Sequence, residues 1–231
     1  MNSNHVAAII VAAGKGIRFG GTIRKQFLEL AGRPILYHSI LPFQQSDLIE
    51  EIILVAPPTE ADAVAAMVQP WGMDKIKAIT AGGEERHHSV RNGLAALSPA
   101  IDVVLIHDGV RPLATPAMIE RVLQGVAQCG SALVAVTPKD TVKSARHGLI
   151  EQTLDRQSLL LVQTPQGFRR TIIEQAYAAA FARGSFSTDD AALVEQMGEP
   201  VAAVAGDYRN IKITSSEDLA IAEVLMKERS V

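Results

Sequence analysis

The 231-residue sequence has a single cysteine, few aromatic side chains and no long hydrophobic run. Cys129 cannot form a disulfide within the chain, which favours a reducing compartment, and we expect it to be a small buried residue at the end of a helix. Six Phe, three Tyr and one Trp are too few to predict a stacking surface for single-stranded nucleic acid. The longest apolar run, Val6 to Ala13, is too short to span a membrane, and no secretory signal precedes it. We therefore expect a soluble, cytoplasmic protein.

Positive charge is not in excess either. The net charge is −3 and the sequence pI is about 6.1, which disfavours nucleic acid and anionic membranes as partners. The charge is unevenly distributed, however, because the segment from Lys15 to Arg33 carries five basic side chains and one acidic one. This segment is suited to a small, highly charged anion.

Short apolar runs rich in β-branched residues alternate with helical patterns through most of the chain. Such alternation predicts βαβ units, and hence an α/β fold with a Rossmann-like, mostly parallel sheet and helices on both faces. The predicted strands are Val6 to Ala12, Glu51 to Ala56, Lys75 to Thr80, Asp102 to Ile106, Ser131 to Val136, Leu159 to Gln163, Val201 to Val204 and Ile211 to Thr214. The predicted helices are Ile35 to Gln45, Glu60 to Gln69, His88 to Leu97, Pro116 to Gln128, Ile172 to Phe181, Asp189 to Gln196 and a closing helix.

The alternation is interrupted after Val136. The segment Thr137 to Thr153 is polar, and two short alternating stretches, Thr141 to Lys143 and Leu149 to Thr153, flank a turn at Gly148. This pattern predicts a β-hairpin arm that projects from the domain. Without an internal repeat or a linker, residues 1–231 are interpreted as one domain, with residues 137–157 as its arm.

The loop after the first predicted strand is rich in glycine and in basic residues. Four interpretations are considered. A Walker loop is excluded, because Gly14-Lys15 is followed by Gly16 rather than Ser or Thr. A dinucleotide fingerprint is approximated by Gly14, Gly16 and Gly20, but their spacing is one residue too long and the second strand ends without a ribose-binding acid. A loop that grips a triphosphate, with Arg18 and Lys25 on the phosphates, uses the basic residues best. A solvated basic loop remains the plain alternative.

Two further loops follow the third and fourth predicted strands. Gly82-Gly83 precede a helix and allow close approach to a base or ribose, while Ser89 can cap the helix or bind a ligand. His87 and His88 are interpreted as a surface pair, because adjacent helical residues seldom share one metal ion.

At the end of the fourth strand, Asp108 is placed to hold Mg²⁺ beside phosphates, and Arg111 to bind a phosphate. An Asp108–Arg111 ion pair that closes a turn is the structural alternative.

Eight motifs in order along the chain resemble the 2-C-methyl-D-erythritol 4-phosphate cytidylyltransferases, a nucleotidyltransferase family. The motifs are Ala12-Ala13-Gly14-x-Gly16-x-Arg18 with Lys25-Gln26, Gly82-Gly83-x-x-Arg86-x-x-Ser89, His107-Asp108-x-x-Arg111-Pro112, Asp140-Thr141-x-Lys143, Leu154-Asp155-Arg156, Thr164-Pro165-Gln166, Thr188-Asp189 and Asn210-Ile211-Lys212. The resemblance implies a fold of the nucleotidyltransferase type. It also implies that CTP and 2-C-methyl-D-erythritol 4-phosphate react, with Mg²⁺, to give CDP-methylerythritol and pyrophosphate for isoprenoid biosynthesis.

The resemblance also implies roles for individual residues. Arg18 and Lys25 are expected to grip the triphosphate, and Lys212 to reach the α-phosphate. Backbone contacts to the nucleotide are expected from Ala12, Ala13, Gly14, Gly16, Gly83, Glu84 and Ser89. The methylerythritol phosphate is expected to lie among Asp108, Arg111, Thr188 and Asp189, with Asp108 at the metal. The arm is expected to cross to a second subunit of a homodimer, where Thr141 and Arg156 complete the neighbour's site.

Three other functions are weighed. A ribitol 5-phosphate cytidylyltransferase is the nearest, but Ala13 and the intact Leu154-Asp155-Arg156 favour methylerythritol. An NAD-dependent dehydrogenase is disfavoured by the missing ribose acid. A non-catalytic nucleotide sensor has no need of a lysine at the α-phosphate, so Lys212 argues against it.

Overall fold

The computed structural model describes residues 4–14 and 23–229. Its strands are β1 Val6–Val11, β2 Glu29–Leu30, β3 Arg33–Pro34, β4 Glu51–Ala56, β5 Ile76–Ala81, β6 Val103–Asp108, β7 Ser131–Val136, β8 Lys143–Arg146, β9 Leu149–Thr153, β10 Leu161–Arg169 and β11 Ala202–Ala205. Its α-helices are α1 Ile35–Gln45, α2 Ala61–Val68, α3 Arg86–Ala95, α4 Pro116–Cys129, α5 Arg170–Arg183, α6 Ala191–Glu195 and α7 Ser216–Arg229.

The central sheet has seven described strands in the order β11-β7-β10-β6-β1-β4-β5. Strand β1 pairs in parallel with β4 and β6, and β4 pairs in parallel with β5. Strand β10 runs antiparallel to both of its neighbours, β6 and β7. The predicted mostly parallel sheet is therefore confirmed, and the carboxyl ends of β1, β4, β5 and β6 meet at one edge.

Both faces of the sheet are covered, which explains why the strands are apolar throughout rather than alternating. Alternate residues of β1 enter opposite cores: Ala8 and Ile10 pack in the cluster that includes α1, α2 and α4. Ala7 and Ile9 pack in the cluster that includes α3, α5 and α6. The predicted helices on both faces are confirmed.

The predicted hairpin is present as β8 and β9, which pair antiparallel. His147 and Gly148, at its turn, have φ values of 50° and 81°, the left-handed conformation that a two-residue hairpin turn requires and glycine adopts readily. Strand β8 begins at Lys143, whereas the predicted first stretch of the hairpin ran from Thr141 to Lys143. Leu149 and Ile150 are 75% and 67% exposed, so within the chain the hairpin buries little apolar surface.

The closing helix α7 is capped at its start by its own side chains. Ser215 Oγ accepts from the Asp218 N–H, and Asp218 Oδ2 accepts from the N–H of Ser215 at 2.9 Å. This reciprocal pair is a capping box with Asp in the acidic position. By contrast, the predicted strand Ile211 to Thr214 is wrong: these residues form a loop tied to Val110 by the Ile213 N–H.

Two other expectations are also wrong. Cys129 ends α4 as expected but is exposed rather than buried, since the buried face of α4 extends only as far as Val126. His87 and His88 are half-buried, not a surface pair, since the His87 ring stacks on Phe186 with centroids 3.6 Å apart. Among the described residues, no helix has both the length and the apolar character of a membrane span.

Candidate functional site

Two adjoining cavities open at the carboxyl ends of the parallel strands, where ligands bind in open α/β sheets. The first, of about 390 Å³, is lined by Val11, Ala12, Ala13, Gly14, Arg24, Lys25, Gln26, Pro58, Thr59, Gly83, Glu84, Glu85, Arg86, Ser89, Asp108, Val110 and Lys212. The second, of about 400 Å³, is lined by Arg86, Asp108, Arg111, Val162, Gln163, Thr164, Gln166, Thr188, Asp189, Ala192, Glu195 and Lys212. Arg86, Asp108 and Lys212 are common to both and form the wall between them.

The first cavity is shaped by close backbone packing. A Cβ atom on Gly82 would overlap the side chain of Ala13, and one on Gly83 would overlap that of His88. This backbone path therefore requires glycine at both positions. Ser89 Oγ accepts from the Gly83 N–H at 3.1 Å and donates to the carbonyl of Glu85 at 3.2 Å. Ser89 thereby fixes the loop that enters α3 while lining the cavity.

Gln26 connects the turn that carries Lys25 to the end of β1. Its buried side-chain amide donates to the carbonyls of Ala12 at 2.6 Å and Gly14 at 3.2 Å. Gln26 belongs to the 3-10 turn Lys25–Phe27, so these bonds hold Lys25 next to the end of β1. Arg24, the residue before Lys25, forms an ion pair with Glu60, with 2.8 Å between Arg24 Nε and Glu60 Oε1.

The second cavity is polar and carries both signs of charge. Arg111 Nη1 donates to the carbonyl of Asn210 at 2.7 Å, and its buried Nε atom has no hydrogen-bond acceptor among the residues that the structure describes. Opposite charge is supplied by Asp189, whose Oδ2 accepts from Gln166 at 2.9 Å and whose Oδ1 accepts from the N–H of Ala192 at 3.1 Å. The carboxylate is therefore held at the start of α6, facing the cavity.

The shared wall is a cluster of charges around Asp108. Lys212 Nζ lies 2.8 Å from its Oδ2 atom, and Arg86 Nε lies 3.4 Å from its Oδ1 atom. Burial by itself raises the pKa of Asp108. The positive charges of Arg86, Lys212 and Arg111 outweigh it and hold that pKa well below its usual range. Asp108 is therefore an anion at every physiological pH.

Behind Asp108, the fully buried imidazole of His107 connects β6 to β10. Its Nε2 atom lies 3.1 Å from the carbonyl of Arg111 and its Nδ1 atom 2.9 Å from Thr164 Oγ1. The Asp108 N–H donates to the same Thr164 hydroxyl at 3.1 Å. Burial lowers the pKa of His107 to about 4, so the ring is neutral at pH 7, with Nε2–H donating and Nδ1 accepting.

The site offers few metal ligands of its own. Across residues 4–14 and 23–229, no group of three His, Cys, Asp or Glu side chains could hold an ion. Asp108 supplies one carboxylate where the cavities meet, and Mg²⁺ commonly uses one or two carboxylates together with substrate phosphates. The donor therefore fits an ion that arrives with phosphates, provided that Lys212, whose side chain is 41% exposed, releases Oδ2.

The structure brings most of the predicted residues together. The first cavity is lined by Ala12, Ala13, Gly14, Lys25, Gly83, Glu84 and Ser89, and the second by Arg111, Thr188 and Asp189, with Asp108 and Lys212 in both. Gly16 and Arg18 lie outside the described residues. Thr141 and Arg156 line neither cavity; both are exposed on the arm, where Arg156 donates to the carbonyl of Lys139 at 2.6 Å. The proposed Asp108–Arg111 ion pair is also present, at 3.7 Å, alongside the closer contact with Lys212.

Sequence reasoning gave no role to several residues that line the cavities or lie behind them. Arg86 belongs to the motif that begins at Gly82-Gly83. Its position as a basic residue shortly after two glycines could have predicted that it lines the site. Asp190 and Tyr177 carried no such signal, because only the packing of α5 against α6 brings them to Arg86. Gln26 stands in a motif next to Lys25, but its contacts with Ala12 and Gly14 depend on how the turn Lys25–Phe27 packs against the end of β1.

Comparisons with known proteins agree over nearly the whole chain. The family model of 2-C-methyl-D-erythritol 4-phosphate cytidylyltransferase matches residues 6–228. Proteins of that name from Pelotomaculum thermopropionicum and Geobacillus kaustophilus are 47% and 44% identical, over 97% and 96% of this chain and 95% and 97% of their own. The solved 4-diphosphocytidyl-2C-methyl-D-erythritol synthase from Anaerococcus prevotii is 30% identical with a TM-score of 0.86, covering 98% of this chain and 100% of that chain. The 2-C-methyl-D-erythritol 4-phosphate cytidylyltransferase from Thermus thermophilus, also 30% identical, has a TM-score of 0.78 and covers 95% of this chain and 98% of its own.

Proposed function

Because the chain belongs to the 2-C-methyl-D-erythritol 4-phosphate cytidylyltransferase family, we propose that its two cavities hold the two substrates of that reaction side by side. CTP occupies the first cavity and 2-C-methyl-D-erythritol 4-phosphate the second, and the products are CDP-methylerythritol and pyrophosphate. The observation that carries this proposal is the shared wall, since Arg86, Asp108 and Lys212 line both cavities. Two substrates can then meet at one group of charges.

The first cavity suits a nucleoside triphosphate. Its glycine and alanine backbone lets a planar base and a ribose approach closely, with Ala12, Ala13, Gly14, Gly83, Glu84 and Ser89 as the contacts. Lys25 lines the same cavity next to the end of β1, and we assign it to the triphosphate. In this proposal Arg18 and Gly16, which lie outside the described residues, bind the same phosphates.

The second cavity suits a polyol phosphate. Arg111 provides a planar guanidinium for the phosphate, and its Nε atom, which lies 3.7 Å from Asp108 Oδ2, makes no hydrogen bond within residues 4–14 and 23–229. Asp189 and Thr188 accept from or donate to hydroxyl groups of the polyol.

The reaction needs no covalent enzyme intermediate. An oxygen of the methylerythritol phosphate attacks the α-phosphorus of CTP in line; a new P–O bond forms as the bond to the pyrophosphate oxygen breaks. A phosphate monoester is largely dianionic near pH 7, so no base is required. The protein contributes position and positive charge, with Lys25 and Arg18 on the triphosphate and Lys212 at the α-phosphate.

Mg²⁺ belongs to this proposal as a companion of CTP. Asp108 would hold it together with phosphate oxygens, and the ion would neutralise charge on the triphosphate. The chain's own part is to present the Asp108 carboxylate, kept ionised by its cationic neighbours, while Lys212 leaves Asp108 to bind the α-phosphate of CTP.

The arm is proposed to serve a second subunit. We take residues 1–231 as one domain and residues 137–157 as the arm that joins a homodimer. Exposed aliphatic side chains support a subunit contact here: Leu149 and Ile150 lie on the arm, and Leu160, Leu161 and Val162 lie just after it. Thr141 and Arg156, which line neither cavity of their own chain, then complete the partner's second cavity. A cytoplasmic location is also proposed, in keeping with the lone cysteine.

Pyrophosphate release tests the function directly. The protein is incubated with CTP, Mg²⁺ and either 2-C-methyl-D-erythritol 4-phosphate or ribitol 5-phosphate. We expect release with the first polyol phosphate at a kcat/KM at least a hundredfold above that with the second. Release with ribitol 5-phosphate only would favour the alternative cytidylyltransferase, and release with neither would refute the proposal. The comparisons favour neither this alternative nor a dehydrogenase.

A further inference from the structure

We propose that Asp190 is a positioning residue of this site, which fixes the guanidinium of Arg86 in the wall between the two cavities. Asp190 itself lines neither cavity and acts through Arg86. The proposal rests on the proposed function, because it gives Asp190 a part in that reaction.

The contacts of Asp190 engage both of its oxygens. Arg86 Nη1 donates to Oδ1 at 2.9 Å and Arg86 Nη2 donates to Oδ2 at 2.7 Å, a bidentate pair. The Tyr177 hydroxyl donates to Oδ1 at 2.6 Å. The Asp190 side chain is fully buried, so its orientation is set by these bonds.

Arg86 connects that buried carboxylate to the reaction site. Its Nε and Nη2 atoms lie 3.4 and 3.5 Å from Asp108 Oδ1, further than either bond to Asp190. Asp190 therefore holds the guanidinium back from a tight pair with Asp108. The Arg86 side chain is 29% exposed, so part of its charge faces the two cavities, where the phosphates of both substrates are proposed to lie.

The charges explain why this restraint is useful. Without Asp190, Arg86 would have Asp108 as its nearest carboxylate, and a close pair would neutralise both groups at the junction. With Asp190, the guanidinium stays charged and fixed: burial lowers the pKa of Arg86, but Asp190 and Asp108 raise it above its usual value. A cation that does not reorganise during the reaction stabilises a developing charge best.

The first test requires no substrate. Asp190→Asn keeps the shape of the side chain but replaces one acceptor by an amide that opposes the guanidinium N–H groups. In a crystal structure of this variant without ligands, we expect Arg86 Nη2 to move to within 3.2 Å of Asp108 Oδ1 or out into a cavity. An unmoved guanidinium would overturn the proposal, whatever the enzyme's activity.

The second test is a double-mutant cycle on turnover. We expect Asp190→Asn to lower kcat at least tenfold while the KM for CTP changes less than threefold. In an Arg86→Gln background, Asp190→Asn should change kcat less than twofold, because the residue through which it acts is gone. If the two effects multiply instead, Asp190 does not act through Arg86 and the proposal fails.

Two further variants separate positioning from packing. Tyr177→Phe removes a bond to Asp190 but leaves the ion pair, so kcat should stay within twofold while the melting temperature falls; a loss equal to that of Asp190→Asn would contradict the proposal.

Since removing a buried charge can prevent folding, Arg86→Lys gives a second test: it keeps the positive charge but not the bidentate geometry. We expect a tenfold or greater loss of kcat, and unchanged turnover would overturn the proposal. If the wild type releases no pyrophosphate, the proposed function fails, and the crystal structure still decides the position of Arg86.

Discussion

The ammonium nitrogen of Lys212 lies 2.8 Å from the Oδ2 atom of Asp108, in the wall that the two cavities share. Lys212 is supplied by the loop before α7 and Asp108 by the end of β6. Because the Lys212 side chain is 41% exposed and that of Asp108 is 9% exposed, the lysine is the partner that can move. In the proposed reaction the α-phosphate of CTP is a second anion at the same point, so the ion pair with Asp108 keeps Lys212 close to the position where it is proposed to act.

Replacing Lys212 by Met should lower kcat by a factor on the order of 10² or more, the loss typical for one preorganised donor. The fold should survive, because Arg86 and Arg111 still compensate Asp108. Steady-state kinetics and a thermal melt measure the two effects. Lys227→Met, on the exposed surface of α7, is the matched control and should leave kcat unchanged. Near-normal turnover of Lys212→Met would remove this lysine from the reaction.

The sheet was predictable because each parallel strand is a short apolar run between helical patterns. Strand β10 was predicted only in part, as Leu159 to Gln163, because Pro165 and Gly167 ordinarily interrupt strands. Here Pro165 falls within the register shift between Val162 and Gln166, where a ladder hydrogen bond is not required of it. At Gly167, a Cβ would press on Val122 and Leu105, so α4 packs closely on the strand only because no side chain is present.

The residues that line the site were more predictable than those that hold it in place. Asp108 and the Gly82-Gly83 pair follow strands, and strand ends converge at one edge of the sheet. Asp190 and Tyr177 reach Arg86 through helix packing, which no local pattern reports. The same holds for Thr164, whose contact with His107 depends on β10 lying antiparallel to β6.

Gln26 should control both stability and CTP binding. Gln26→Leu leaves the carbonyl of Ala12 without its side-chain donor, which costs about 1–3 kcal/mol of unfolding free energy for a buried acceptor. It also frees the turn that carries Lys25, so the KM for CTP should rise several-fold. Urea denaturation and CTP titrations provide the measurements. Gln124→Leu, at an exposed position of α4, should alter neither quantity, and a Gln26→Leu enzyme with normal CTP binding would contradict this role.

His107 should make the fold sensitive to mild acid. Its pKa is about 4 in the folded chain, against 6.5 for an ordinary histidine, so its contribution is fully present above pH 6.5 and is lost as the pH falls toward 4. Over that window the loss amounts to roughly 3 kcal/mol. Denaturation at a series of pH values should show it, and His107→Gln, which cannot titrate, should show a shallower decline.

An NMR titration gives a direct check on His107 within the same sample. Its ring signals should stay at the neutral position down to about pH 5. His5 serves as an internal reference, because its hydrogen bond and charge interaction with Glu50 raise its pKa above 6.5. A His107 signal that titrates together with that of His5 would show that the ring is not held neutral by burial.

The arm gives the last prediction, because a site built from two chains can be repaired by mixing two variants that are each impaired at low concentrations of methylerythritol phosphate. Arg156→Ala should raise the KM for methylerythritol phosphate, and Lys25→Ala should lower kcat by a factor on the order of 10² or more. If the arm serves the partner, a mixed dimer has one site with both changes and one with neither. After unfolding and refolding together in equal amounts, half of the dimers are mixed, so about a quarter of wild-type activity should return. A homodimer in which each chain completes its own site predicts no recovery, since every site then keeps one of the two changes. Refolding each variant alone is the control, and an unchanged KM in Arg156→Ala would exclude that residue from the site in either chain.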